Sequence, residues 1–238
     1  MSLASLGVCS LAGLKKACGT NRPKVDSSHF PPMHVFYIPD GHRRFAELRG
    51  RELSDAYALG IEVLWTEVVN PLLSNTPVSS IDVFCLSNQN MRRRDRSELQ
   101  TFLARGEEML EPFISLCTSI ARVETLGDYL KKNVVLNPDA PKTLRLLIGS
   151  GIDDVEVSTA DIFIRSGGEL RLSGAPRALI GNYTQFYCID ELHPEVKFAS
   201  FEAILSRYQN RYVRATDNTE PGCDDGETPF QACREDDS

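Results

Sequence analysis

Short strand-like runs alternate with helix-period segments along most of this chain, and several runs end in clusters of polar and basic residues. Met33–Ile38, Ser80–Leu86, Arg122–Leu126, Leu144–Ile148, Asp161–Arg165 and Phe186–Ile189 are rich in β-branched, aliphatic or aromatic residues and too short for helices, so they read as strands. Between them lie a charged helical pattern over His42–Arg49 and an amphipathic one from Leu53 to Asn70, closed by Pro71. From Asp95 to Ile120, Leu99, Phe102, Leu103, Met109, Leu110, Phe113, Ile114 and Leu116 recur at helical spacing, with a kink expected at Pro112. Phe198–Tyr212 reads as a closing helix. This alternation predicts an α/β fold: a central, mostly parallel six-stranded sheet flanked by helices.

Charge is distributed unevenly. The net charge of −7 arises from the last residues: Asp217 to Ser238 hold eight acids and one arginine, leaving 25 acids and 25 bases in the other 216 residues. The chain therefore divides into a leader over 1–32, a charge-balanced domain over 33–216 and an acidic tail over 217–238, expected to be disordered. A balanced domain lacks the basic excess of a nucleic-acid binder. Seven cysteines with no C-x-x-C pair give no disulfide or zinc framework and point to a reducing, cytoplasmic setting. Residues 1–14 are mildly apolar, but Lys15 and Lys16 come after them, so a flexible extension is expected rather than a secretory signal. No apolar stretch approaches the length of a membrane span, so stable membrane insertion is not expected.

Ligands of open α/β sheets bind at the carboxyl ends of the strands. Three such ends carry polar clusters. The first is Pro39-Asp40-Gly41-His42-Arg43-Arg44-Phe45, where a helix start aims backbone N–H groups outward and two guanidinium groups add cationic forks. Asp40 looks unpaired there, and a carboxylate beside phosphates suits a bridging Mg²⁺. The second is Ser87-Asn88-Gln89-Asn90-Met91-Arg92-Arg93-Arg94, and the third is Arg165-Ser166-Gly167-Gly168-Glu169-Leu170-Arg171-Leu172-Ser173. An Asp-Gly turn, a charge run or a glycine pair is each ordinary by itself. Three on one sheet edge point to an anionic ligand.

These stretches resemble a known family. His34–Phe45 and Asp161–Ser173 are similar to the signature regions H-V-A-x-I-M-D-G-N-G-R-W and D-L-x-I-R-T-G-G-E-x-R-x-S of the cis-prenyltransferases, the undecaprenyl diphosphate synthase family. Tyr183–Pro194 resembles the later Y-A-E-L-Y-F-x-x-x-L-W-P segment, and Ser87–Arg93 matches S-x-E-N-W-x-R in part. The resemblance covers about residues 33–213 and implies Mg²⁺-dependent joining of an allylic diphosphate to isopentenyl or dimethylallyl diphosphate, in a homodimer. Carried over by position, Asp40 would hold Mg²⁺ together with Gln185, and Gly41, Arg43 and Arg44 would cradle the allylic diphosphate. Arg165, Arg171 and Ser173 would bind the acceptor's diphosphate, Asn90 and Arg93 would stand near the reacting carbons and the first diphosphate, and Ser87 would bind substrate.

The departures from that pattern are specific. His42 stands in place of Asn, Phe45 of Trp, Tyr57 of a functional His, Met91 of Trp and Gln185 of a metal-binding Glu. The stretch between Ser87 and Arg165 is short for the family, and the helix after Leu144–Gly151 is largely missing. The pattern P-D-G-x-R-R-aromatic with a later Tyr is similar to cyclolavandulyl diphosphate synthases. A short, irregular or cyclic terpenoid is therefore the expected product, with Asp40, Asn90 and His42 as catalytic residues. A terpene synthase ionising one prenyl diphosphate, or a non-catalytic subunit of a heteromeric prenyltransferase, are the alternatives.

Overall fold

A computed structural model of the chain describes residues 31–127, 134–149 and 158–217. The expected leader and acidic tail lie, apart from their inner ends, outside the described residues, as does the connection around Gly151. The elements run β1 (Met33–Ile38), α1 (His42–Arg49), α2 (Leu53–Val63), a π-helical turn (Leu64–Val69), α3 (Asn70–Asn75), β2 (Val78–Leu86), α4 (Asn88–Arg93) and α5 (Arg96–Cys117). They continue with β3 (Arg122–Leu126), β4 (Val134–Leu136), β5 (Thr143–Ile148), β6 (Ala160–Ser166), β7 (Ile180–Ile189) and α6 (Phe198–Asp217). By compactness the chain divides into Met1–Ser200 and Phe201–Ser238; the described part of the second unit is helix α6 beyond its first turn.

The strands form one sheet in the order β4-β3-β5-β2-β1-β6-β7, parallel throughout except for the antiparallel pair β3–β4. All six expected strands are present. The seventh, β4, is three exposed residues long and carries no periodicity to announce it; it exists through pairing, Val123 opposite Leu136. Pro71 does not end the helical stretch as expected. The chain widens to a π turn, where Asn70 N–H donates to the Trp65 carbonyl five residues back, and helix continues through Pro71 to Asn75. A wider turn removes the clash that a proline ring otherwise makes with the carbonyl four residues earlier.

Central strands of parallel sheets are buried on both faces, and all six residues of β1 are buried. One face carries Val35, Tyr37, Ile81, Val83, Leu146 and Ile164, all fully buried, and each such side chain contributes about 2 kcal/mol of apolar burial. The opposite face carries a charge ladder set by register. Asp82 lies opposite Arg145, which lies opposite Glu124. His34 Nε2 and Arg145 Nε each approach the Asp82 carboxylate, at 2.9 and 2.8 Å.

Strand order places the functional loops. β1 leads to β2 on one side, while β6 and β7 lie on the other, so the chain reverses direction across the sheet between β1 and β6. Ligand crevices form at such switch points. Ile38 pairs with Arg165 there, which brings the loop after β1 against the end of β6.

Candidate active site

Asp40 follows β1 and is held by its own backbone. Its N–H donates to Ser166 Oγ at 2.9 Å, and its carbonyl accepts from His193 N–H at 2.8 Å. Gly41 then turns the chain into α1 with φ of 120°, a left-handed conformation, and a Cβ there would sit 2.9 Å from Leu192 Cβ. No side chain caps α1, so its first N–H groups remain available to a ligand.

Arg165, at the end of β6, is buried and bridges two loops. Its Nη2 donates to Asp40 Oδ2 at 2.6 Å, while Nη1 donates to the Arg171 carbonyl and to Ser173 Oγ, both at 2.6 Å. Arg44 Nη2 lies 3.5 Å from the same Asp40 oxygen. Asp40 is thus a paired carboxylate rather than the unpaired one expected from sequence. It offsets the charge of Arg165, whose buried Nε has no hydrogen-bond partner among the described residues.

Two adjoining cavities meet at this edge. The first, about 450 Å³, is lined by Arg43, Arg93, Arg94 and Arg171 with Asn90 and Ser173. The second, about 660 Å³, is walled mainly by apolar groups, among them Leu64, Phe84, Phe102, Leu110, Phe113 and Leu146. Arg43, Asn90, Arg94, Arg171 and Ser173 line both, and Asp40, His42, Tyr57 and Arg165 line the second. A cluster of cations therefore opens onto a greasy chamber, the arrangement that an amphiphile with an anionic head requires.

A ring cluster forms part of the wall of the second cavity. His42 stands 5.2 Å from Tyr57 and 5.0 Å from His193 between ring centroids, and a Cβ on Gly60 would strike His42 Nε2. Burial first, then the neighbouring His193 and Arg94, holds His42 well below the usual histidine range, so the imidazole is neutral. Burial likewise pushes His193 down to about 4 and Tyr57 up to about 12. His193 braces the cluster: Nε2 is 2.8 Å from the Gly60 carbonyl and Nδ1 is 2.8 Å from the Tyr37 hydroxyl.

No family model matches the chain. It is 22% identical to an isoprenyl transferase of Porphyromonas gingivalis over 80% of this chain and 92% of that protein. It is 27% identical to a tritrans,polycis-undecaprenyl-diphosphate synthase (geranylgeranyl-diphosphate specific) of Aeropyrum pernix, covering 76% and 96% of the two. Its fold matches the crystal structure of lavandulyl diphosphate synthase from Lavandula x intermedia in complex with dimethylallyl diphosphate. That match has a TM-score of 0.64 at 20% identity and covers 76% of this chain and 96% of that one. In sequence over about three quarters of its length, and in fold, the chain resembles the cis-prenyltransferases.

Most of the residues expected from the cis-prenyltransferase signatures converge. Arg43, Asn90, Arg93, Arg171 and Ser173 line the cationic cavity and Asp40, His42 and Arg165 the apolar one, while Gly41 lines neither and turns the chain into α1. Three do not take their expected places. Ser87 lines neither cavity; it is buried as the N-cap of α4, accepting from Asn90 N–H at 3.0 Å. Arg44 also lines neither and turns toward Asp40, Glu169 and the Gly167 loop. Gln185 opposes Ile162, which neighbours Val35, five residues before Asp40; at the rise of a strand that is roughly 16 Å away. Within one chain Gln185 and Asp40 cannot share a metal.

Sequence reasoning missed Arg94 and Glu98 as site residues. Arg94 was hidden at the end of a three-arginine run that reads as a solvated helix. Glu98, in the first turn of α5, carries no signal beyond its charge.

Among the described residues no group of three or more His, Cys, Asp or Glu is placed to hold a metal. Asp40 alone fits a Mg²⁺ whose other ligands come from substrate phosphate and water, because Oδ2 faces Arg165 and Oδ1 accepts no hydrogen bond among the described residues.

The low value of His193 gives an acid limit. The folded value near 4 lies below the ordinary 6.5, so between those pH values the unfolded chain binds the extra proton. His193 contributes its full stabilisation above pH 6.5 and loses it as pH falls toward 4, about 3 kcal/mol in all. Urea unfolding at pH 7 and 4.5 is expected to show that loss, and a His193→Asn variant is expected to lose less between the same two points.

Proposed function

We propose that this chain is a Mg²⁺-dependent prenyltransferase joining an allylic diphosphate to isopentenyl diphosphate or to a second dimethylallyl diphosphate, with a short, irregular or cyclic terpenoid as product. The observation that carries the reading is the shared wall: Arg43, Asn90, Arg94, Arg171 and Ser173 border both the cationic and the apolar cavity. The names of the relatives support prenyl transfer, and the lavandulyl diphosphate synthase fold, seen with dimethylallyl diphosphate, supports a short substrate.

In this reading Arg43, Arg93, Arg94 and Arg171 hold the diphosphate groups at the mouth, with the free N–H groups of α1 adding dipole attraction. Asp40 Oδ1 would hold Mg²⁺, which supplies neutralisation of the leaving diphosphate's charge. Asn90 faces both cavities, beside the junction of head and tail. Phe84, Phe102, Phe113 and Tyr57 surround the tail and keep water from the developing carbocation. His42, neutral on the same wall, offers a hydrogen-bonding nitrogen to the bound substrate.

A homodimer belongs to the same proposal. β7 is an edge strand that exposes Tyr183 and Phe186, and the preceding loop exposes Leu170 and Leu172, apolar surface of the kind that a second copy covers. Purified protein is expected to sediment at twice the chain mass and Tyr183→Asp to shift it toward monomer; a monomeric parent protein would refute the dimer. Among the described residues no helix is long and apolar enough to cross a membrane, which fits the proposed cytoplasmic location.

The function itself is tested by mass spectrometry of products from dimethylallyl diphosphate with Mg²⁺, with and without isopentenyl diphosphate. A coupled C10 diphosphate that disappears with a chelator is expected. Asp40→Asn, which keeps an acceptor for Arg165 but not its counter-charge, is expected to lower turnover at least about 100-fold and also to unfold at lower urea, with circular dichroism checking that the assayed sample is folded. A product without diphosphate would favour the terpene synthase alternative. No product from any C5 to C15 diphosphate would favour a non-catalytic subunit.

A further inference from the structure

Among the described residues four arginines line the cationic cavity, Arg43, Arg93, Arg94 and Arg171, and no carboxylate lines it with them. Four guanidinium groups gathered before any ligand arrives repel one another, so their counter-charges decide how strongly the site holds an anion. Among the described residues two carboxylates reach these arginines from outside the cavity. Glu169 pairs with Arg171 at 3.0 Å, but its side chain is 43% exposed and water screens it. Glu98 is different: its side chain is only 12% exposed.

Glu98 Oε1 collects donors from three directions. Tyr57 Oη on α2 donates to it at 3.2 Å, Arg94 Nη1 lies at 3.3 Å and Arg43 Nε on α1 at 3.7 Å. Arg94 Nη1 also donates to the Tyr57 hydroxyl at 3.1 Å, closing a triangle of tyrosine, arginine and carboxylate. Glu98 itself lines neither cavity, whereas Arg43 and Arg94 line both. Its charge therefore reaches a ligand only across these arginines, from behind the wall.

We propose that Glu98 is the standing counter-ion of the arginine wall, a positioning residue that aligns Arg43 and Arg94 while its negative charge weakens the site's grip on diphosphate so that released diphosphate leaves. The proposal rests on the reading of that wall as a diphosphate site. It predicts a split that a structural brace does not give. Removing the charge while keeping the oxygen acceptor strengthens diphosphate binding and slows turnover, because release becomes the slow step.

The test is calorimetric titration of inorganic pyrophosphate at fixed salt into the unmodified protein, Glu98→Gln and Glu98→Asp, with steady-state kinetics on the same samples. Glu98→Gln is expected to bind pyrophosphate about tenfold more tightly and to lower kcat and KM together, while Glu98→Asp, which keeps the charge, stays near the parent affinity. Glu98→Ala, read in the same way, takes the place of the glutamine variant should that one fail to fold. Unchanged or weaker pyrophosphate binding in the charge-removed variant would overturn the counter-ion role. Absence of pyrophosphate binding to the unmodified protein would instead overturn the diphosphate reading beneath it.

Discussion

A buried guanidinium organises the edge of this sheet. Arg165 reaches from the end of β6 to the carboxylate of Asp40 after β1, and to the Arg171 carbonyl and Ser173 hydroxyl in the loop after β6. A cation removed from water needs a carboxylate and several acceptors around it, and removing one partner leaves an uncompensated charge. The requirement ties two separate loops into one wall. Asp40 Oδ2 thus neutralises Arg165, while Oδ1 accepts no hydrogen bond among the described residues. A carboxylate at this position is needed for structure even before any chemistry is asked of it, which is why retention of Asp40 alone does not distinguish a catalyst from a non-catalytic subunit.

Around that wall the site separates by polarity. Guanidinium groups from α1, from the turn between α4 and α5 and from the loop after β6 gather at the carboxyl ends of the strands, where the chain reverses direction across the sheet. The apolar chamber beneath is built from α2, α5 and the sheet itself. An anionic head and a hydrocarbon tail are satisfied by two different kinds of surface, and in the proposed function the shared residues border the reacting bond. The rings of His42 and Tyr57 lie 5.2 Å apart between centroids, and Gly60, lacking a side chain, makes room for the imidazole.

Much of this was legible in the sequence, for reasons that differ by element. β1, β2 and β6 were readable because buried parallel strands are nearly continuous apolar runs, and their polar ends marked the ligand edge. β4 was not, since three residues carry no period and its existence depends on β3. Ser87 read as a ligand residue because a hydroxyl at a strand end suits phosphate equally well as a helix cap; only the geometry to Asn90 N–H decides. Gln185 was assigned by position in a motif, but register along β7 places it far down the strand. Asp40 looked free because its partner lies 125 residues away, a distance that no local pattern spans. Glu98 gave no signal for a similar reason: its three donors come from separate elements.

The central claim is that one amphiphilic ligand bridges the two cavities. A crystal structure of the protein with dimethylallyl thiolodiphosphate, which resists ionisation, tests it most directly. The account predicts the diphosphate among Arg43, Arg93, Arg94 and Arg171, with the hydrocarbon directed toward Phe102 and Phe113. Diphosphate density away from those arginines, or a hydrocarbon directed out to solvent with the chamber empty, would contradict it.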